Sequence, residues 1–209
     1  MKLDYKKTYK EMYLPKNTPS IISIPRINYI AVRGKGNPNE ENSEYKESIG
    51  LLYGIIFTIK MSKYTNYQIE DYFDFVVPPL EGLWWQEDRS GIDYNKKEDF
   101  HFLSLIRLPE FVTKDILDWA IQEATIKKKV DFSKVEYFTY EEGLCVQCMH
   151  IGSYDDEPST ILLMDKYIQE QGYELDFQTR FHHEIYLSDP RKTAKDRCKT
   201  VIRHPIKKI

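Results

Sequence analysis

The sequence predicts an α+β fold in which two strand-helix-strand-strand modules pair antiparallel sheets about a pseudo-twofold axis. Segments with the period of strands and segments with the period of helices follow one another in the same order in both halves. Each half also closes on a similar stretch, Leu105–Pro109 (LIRLP) and Val201–Pro205 (VIRHP). We therefore expect one domain over residues 1–209, made of repeat 1 at about 21–110, a linking helix at about 112–128 and repeat 2 at about 135–207.

The first half follows a Lys- and Tyr-rich lead-in over residues 1–20. Ile21–Arg33 is predicted to be a strand, and apolar residues at helical spacing predict a helix from Ser43 to about Met61. Tyr72–Trp85 is predicted to be a strand kinked at Pro78, Pro79 and Gly82, because prolines cannot donate to a central ladder and glycine permits a bulge. After a polar loop, Asp99–Arg107 is predicted to be the third strand of this half.

The second half repeats this order after a helix over Val112–Lys128, which the cap-like Thr113 opens. Tyr137–His150 supplies strands, and a turn at 152–158 leads into a helix that ends at Gly172. Tyr173–Leu187 is predicted to be one strand that carries Glu184, and Arg197–His204 is predicted to be the last.

Composition bounds the class of function. The net charge is only -3, so the charge of the chain does not favour nucleic acid or an acidic membrane as a partner. Aromatic residues make up 14% of the chain, which favours a pocket for a flat apolar ligand. The absence of a long apolar run and the three cysteines favour a soluble, cytoplasmic protein, either monomer or homodimer. The Cys145-Val146-Gln147-Cys148 spacing lies in a predicted strand, which favours two packed thiols over a metal or redox pair.

The stretch Phe181–Pro190 contains the main candidate residue. Strand alternation places His182, Glu184 and Tyr186 on one face, so Glu184 lies among aromatic rings in mid-strand. Such a carboxylate either reaches water on a solvated face or points into a cavity, because an unpaired buried charge is costly. His182 and His183 point in opposite directions on a strand, so we predict no metal site, and we expect no cofactor.

Three motifs together resemble the GyrI-like small-molecule-binding family. They are the turn at 149–158 (MHIGSYDDEP), the strand at 183–190 (HEIYLSDP) and the segment at 78–85 (PPLEGLWW), the last of which is similar to stand-alone members. The resemblance covers about residues 20–207 and implies a duplicated fold with an aromatic cavity that has Glu184 at its floor. Some stand-alone members hydrolyse the strained cyclopropane of DNA-alkylating natural products of the yatakemycin and duocarmycin type.

On this resemblance we predict Glu184 as the general base that activates water, with Tyr154 as the proton donor or the group that orients the water. Glu157 either assists or caps the helix that follows it. The predicted ligand-binding residues are Trp84, Trp85, Tyr186, Glu81 and His150, although adjacent tryptophans on a strand point opposite ways and His150 also suits a strand end.

Two functions stay open at this point. One is a hydrolase that opens a cyclopropane in a flat aromatic toxin, and the other is a non-catalytic protein that binds, sequesters or senses such compounds. Both use the same cavity, so residue types alone do not separate them.

Overall fold

The computed structural model describes residues 2–87 and 91–209. Its α-helices are α1 Tyr5–Thr8, α2 Lys10–Tyr13, α3 Glu44–Met61, α4 Lys114–Lys128 and α5 Glu157–Glu170. Its strands are β1 Ser20–Lys35, β2 Leu80–Trp85, β3 His101–Arg107, β4 Glu136–Ile151, β5 Tyr173–Leu175, β6 His182–Tyr186 and β7 Lys199–Lys208.

Six strands close into an antiparallel barrel in the order β4-β1-β3-β2-β6-β7, and β7 pairs again with β4. The short β5 extends the sheet beyond the barrel by pairing with the end of β7. The predicted α+β class with antiparallel strands is therefore confirmed. That the halves are copies of one module stays a prediction, and β5 is a strand of the second half that the predicted module did not contain.

Local capping explains where the two longer predicted helices begin. Ser43 precedes α3, and its hydroxyl accepts a hydrogen bond from the backbone N–H of Lys46 at 3.3 Å. Thr113 does the same for α4, accepting from the N–H of Ile116 at 3.4 Å. These bonds satisfy backbone donors that have no partner within the first turn. The prediction that Thr113 opens the linking helix is confirmed, although the helix itself begins at Lys114 rather than Val112.

Two predicted strands are shorter in the structure. The segment Tyr72–Trp85 is a regular strand only from Leu80, because Pro78 and Pro79 have no N–H to donate to a neighbour. The segment Tyr173–Leu187 divides into β5 and β6, which both pair with β7 but in registers that differ by five residues. The intervening residues 176–181 therefore leave the ladder and form a loop.

The barrel interior contains charged side chains that bond to one another. The ring of His183 lies 3.0 Å from Glu81 through Nε2 and 3.0 Å from Glu142 through Nδ1. Arg203 donates from Nη1 to the second Glu142 oxygen at 3.2 Å. All four side chains are buried, and two acids facing two bases leave this group neutral when His183 is protonated.

The N-terminal segment covers this interior. Tyr13 at the end of α2 points its hydroxyl at Glu81, with the two oxygens 3.4 Å apart. Gln147 donates to the carbonyl of Glu11 at 2.7 Å, and Arg203 donates to the carbonyl of Met12. The lead-in predicted only as Lys- and Tyr-rich thus holds the polar interior away from water.

Two further observations concern the chain as a whole. Cys145 and Cys148 are free, buried thiols in β4, in agreement with the prediction of packed thiols. Over residues 2–87 and 91–209, no helix combines the length and the apolar character needed to cross a membrane.

Candidate functional site

The candidate site lies on the outer face of β2 and β6, opposite to the charged interior. In the register of these strands Gly82 pairs with Glu184, and Trp84 pairs with His182. Alternation then turns Glu184 away from the barrel and His183 into it. Glu184 is only 9% exposed, so the alternative of a solvated strand face is wrong, and the carboxylate lies among side chains from other elements.

Glu157 is the nearest partner of chemical interest. It is the first residue of α5, is fully buried, and accepts a hydrogen bond from the Tyr94 hydroxyl at 3.0 Å. Burial and the charge of Glu184 raise the pKa of Glu157 well above its usual range. One carboxylate oxygen of Glu157 and one of Glu184 lie within 4.8 Å of each other, so the two buried acids face one another. Asp156 occupies the cap position of α5, so the alternative role of Glu157 as the helix cap is wrong.

His182 holds the Glu184 carboxylate from the other side. Its Nε2 lies 2.8 Å from Oε1 of Glu184, and its Nδ1 lies 2.7 Å from Nε2 of His204. Both histidines are buried, and His204 belongs to β7. Glu184 thus lies between the buried carboxyl group of Glu157 and a chain of two histidines.

Aromatic side chains cover the carboxylate pair. Trp84 donates from Nε1 to the Tyr186 hydroxyl at 2.9 Å, and the Tyr154 ring meets the Tyr186 ring edge-on with centroids 5.9 Å apart. Burial and the nearby Glu184 charge raise the pKa of both tyrosines, so both remain protonated donors at neutral pH. Tyr45 of α3 completes the group, with its ring centroid 5.1 Å from that of Trp84.

A glycine makes room for this arrangement. A Cβ atom on Gly82 would lie 2.6 Å from Nε1 of Trp84 and 2.9 Å from the Tyr186 hydroxyl. Both distances are shorter than van der Waals contact, so a side chain there would displace the Trp84–Tyr186 hydrogen bond. Gly82 is thus part of the site, although the sequence marked it only as a bulge position.

Three predicted ligand-binding residues do not contact Glu184. Glu81 points into the barrel and bonds to His183, so the structure does not bring it together with Glu184. Trp85 lies on the opposite face of β2 from Trp84 and packs against Phe181, with ring centroids 4.9 Å apart, but both tryptophans line the neighbouring cavity. His150 is held by Thr160 at 2.8 Å and by the carbonyl of Ser153 at 2.9 Å, which makes it a support of the turn that carries Tyr154.

The same side chains also offer a set of ligand atoms for a metal ion. One ligand atom each from Glu157, His182 and Glu184 lie within 4.8 Å of one another. A cation bound there would have to break the His182–Glu184 hydrogen bond. The prediction of no metal remains a prediction.

A cavity of about 290 Å3 opens beside the cluster, and its walls include Trp84, Phe177 and His182. Glu184 does not line this cavity, but its hydrogen-bond partner His182 does.

Sequence reasoning missed Tyr45, Tyr94, His182 and His204 as members of this site. His204 could have been found from strand pairing, because β6 and β7 place it directly across from His182. The sequence carries no comparable signal for Tyr94 and Tyr45, because the pattern of a loop or a helix does not show which strand face its tyrosine will cover.

The comparisons with known proteins agree with this geometry. The sequence model of the GyrI-like small molecule binding domain matches residues 17–207. The chain belongs to the GyrI-like family. Two solved structures from Listeria innocua are similar to this GyrI-like chain at 41% and 42% identity, with TM-scores of 0.90 and 0.92. Each alignment covers 99% of this chain and 100% of the other, and both proteins are described as hydrolases.

A more distant solved structure shows similarity of fold alone. The EcmrR C-terminal domain is 12% identical, with a TM-score of 0.56 over 92% of this chain and 98% of that one. Among curated proteins, no match was found.

Proposed function

We propose that this GyrI-like protein is a hydrolase that opens the strained cyclopropane of a flat aromatic alkylating compound. The observation that carries the proposal is the buried pair of Glu157 and Glu184, in which burial and the charge of Glu184 raise the pKa of Glu157. General acid-base catalysis uses pairs of titratable groups whose surroundings push their pKa values apart. The Listeria innocua hydrolases, at 41% and 42% identity, support a hydrolytic activity.

The proposed step adds water across one carbon–carbon bond. Glu184 accepts a proton from water, and the water oxygen bonds to a cyclopropane carbon. The strained bond of that carbon breaks, and its electron pair moves into the ring system to form a phenolate. Tyr154 donates a proton to the phenolate oxygen and later regains one from solvent, while Glu157 orients the Glu184 carboxylate through its own proton.

The aromatic group suits a flat substrate. Trp84, Tyr154 and Tyr186 present rings and hydroxyl groups around Glu184, and ring contacts contribute about 1 kcal/mol each beyond the burial of apolar area. Trp84 also lines the neighbouring cavity, which offers room for the part of a ligand that lies outside the carboxylate pair.

A non-catalytic binding protein is the second candidate. It is favoured by the closed packing, in which Glu184 is buried beneath rings and does not line the cavity. A buried carboxylate enclosed by aromatic rings also suits a cationic, apolar ligand through charge and cation–π attraction. In that case Glu184 binds the ligand and activates no water.

Glu184→Gln separates the two candidates. The amide keeps the shape but accepts no proton, so hydrolysis of a cyclopropane-bearing alkylator, followed as the water adduct by mass spectrometry, should fall by about 10²- to 10⁴-fold. Binding of the compound, measured by tryptophan fluorescence, should survive. Glu141→Gln, at an exposed carboxylate on β4, is the matched control and should change neither quantity. Joint loss of binding and turnover would instead support the binding protein.

A further inference from the structure

We propose that Tyr94 is a positioning residue for the proposed reaction, and that its hydroxyl group holds the Glu157 carboxyl group beside Glu184. This inference rests on the proposed function, because it explains how Glu157 keeps the position from which it orients the general base. Tyr94 acts through Glu157 and transfers no proton itself.

The fully buried Glu157 needs a donor to stay in place. Its Oε2 atom accepts the hydrogen bond from the Tyr94 hydroxyl at 3.0 Å. Its Oε1 atom is buried and has no hydrogen-bond partner within residues 2–87 and 91–209. A carboxylate oxygen of Glu184 lies within 4.8 Å of one of Glu157, and two acids at this distance repel each other when both are ionised. The Tyr94 hydroxyl is therefore the group that anchors Glu157 against this repulsion.

Tyr94 remains a donor at neutral pH. Burial and the charges of Glu157 and Glu184 raise the pKa of Tyr94, so the hydroxyl keeps its proton. Burial and the charge of Glu184 raise the pKa of Glu157, with a smaller contribution from Asp155, whereas the hydrogen bond from Tyr94 lowers it. A hydrogen bond to the ionised form favours that form, so the titration of Glu157 reports whether Tyr94 is in place.

Gln86 fixes the loop that carries Tyr94. It directly follows β2 and is only 3% exposed. Its amide donates to the carbonyl oxygens of Asp93 at 3.3 Å and Lys96 at 2.9 Å, and its side-chain oxygen accepts from the backbone N–H of Asp93 at 2.7 Å. These three bonds tie the backbone on both sides of Tyr94 to the end of β2. The side chain of Tyr94 is thus held by the sheet rather than by the loop alone.

A second contact joins the same loop to the turn before α5. Nζ of Lys97 lies 2.8 Å from Oδ1 of Asp155, which belongs to the short helical turn Tyr154–Asp156. The Asp155 side chain is exposed, and an exposed ion pair contributes little to stability. The buried hydrogen bond from Tyr94 to Glu157 is therefore the stronger link between the loop and the site.

Tyr94→Phe tests the proposal, because it removes the hydroxyl and keeps the ring. Hydrolysis of a cyclopropane-bearing alkylator should show a kcat lower by about 10- to 100-fold, since a small displacement of an orienting group has effects of this size. KM should stay within about twofold, because the aromatic walls are intact. Tyr64→Phe, at an exposed tyrosine, is the matched control and should change neither constant. An unchanged kcat in Tyr94→Phe, or a rise in KM alone, would overturn the proposal.

A second measurement needs no substrate. Carbon NMR of glutamate-labelled protein follows the titration of the Glu157 carboxyl group, which is assigned by its absence in Glu157→Gln. Tyr94→Phe should raise the pKa of Glu157, and Tyr64→Phe should not. A pKa that does not rise would overturn the proposal, and lower thermal stability without that rise would show a merely structural role. The expected rise in a protein that hydrolyses no such alkylator would support the hold of Tyr94 on Glu157 and place the failure in the proposed function.

Discussion

The charged interior of the barrel makes stability depend on pH through His183. Burial lowers the pKa of this ring, but Glu142 and Glu81 outweigh burial with their charges and hydrogen bonds and raise the pKa to about 9. In the unfolded chain a histidine titrates near 6.5. Between these two values the folded state holds one proton more than the unfolded state, so stability is present below pH 6.5 and is lost as the pH rises through 9.

The size of the effect follows from the two pKa values. One pKa unit corresponds to about 1.4 kcal/mol, so a rise from 6.5 to about 9 amounts to about 3 kcal/mol of unfolding free energy. The pKa of Glu157 is also raised, so its contribution to the free energy of unfolding also falls as the pH rises above its unfolded pKa. The total decline is therefore at least as large. Glu142 has the opposite sign: its pKa is lowered to about 2 because His183 and Arg203 outweigh burial, and its contribution is lost only in acid.

Denaturant unfolding at pH 6 to 10 measures the decline, and nitrogen NMR follows the titration of His183 itself. Glu81→Gln is the informative variant, because it keeps an acceptor for Nε2 of His183 but removes one of the two charges. Its His183 should titrate closer to 6.5, and the loss of stability between pH 6.5 and 9 should be smaller than in the wild type. Glu174→Gln, from an exposed pair with Lys207, serves as the control. A wild-type unfolding free energy that stays flat from pH 6.5 to 9 would refute the reasoning.

Two further predictions concern the site. Gly82→Ala should lower the free energy of unfolding by about 1–3 kcal/mol and weaken binding of a flat aromatic compound, because the new Cβ separates Trp84 from Tyr186. The control is Gly50→Ala in α3, which has open space around it and should leave stability unchanged or raise it. Equal effects of the two variants in thermal unfolding would contradict the close contact at Gly82. Glu157→Gln copies the protonated carboxyl group, so it should keep the fold and reduce the pH dependence of stability above pH 4.5; a variant that unfolds at neutral pH would show that Glu157 is ionised in the native protein.

Local features of the fold could be predicted from the sequence. The long helix after Ser43 and the helix after Thr113 follow from apolar periodicity and capping side chains, which act within a few residues. The division of 173–187 into two strands could not be predicted, because it depends on where each piece meets β7. Pairing between distant strands has no local pattern that marks its register.

The residues of the candidate site also fall into those that the sequence predicts and those that only the folded chain brings together. By itself the sequence determined that Glu184 shares a strand face with His182 and Tyr186, since alternation is a property of the strand alone. Only the tertiary structure decided that Glu81 turns inward, that Glu157 lies beside Glu184, and that His204 contacts His182. These depend on which elements meet, and the protonation of a buried carboxyl group depends on every charge and dipole that folding brings within a few ångströms of it.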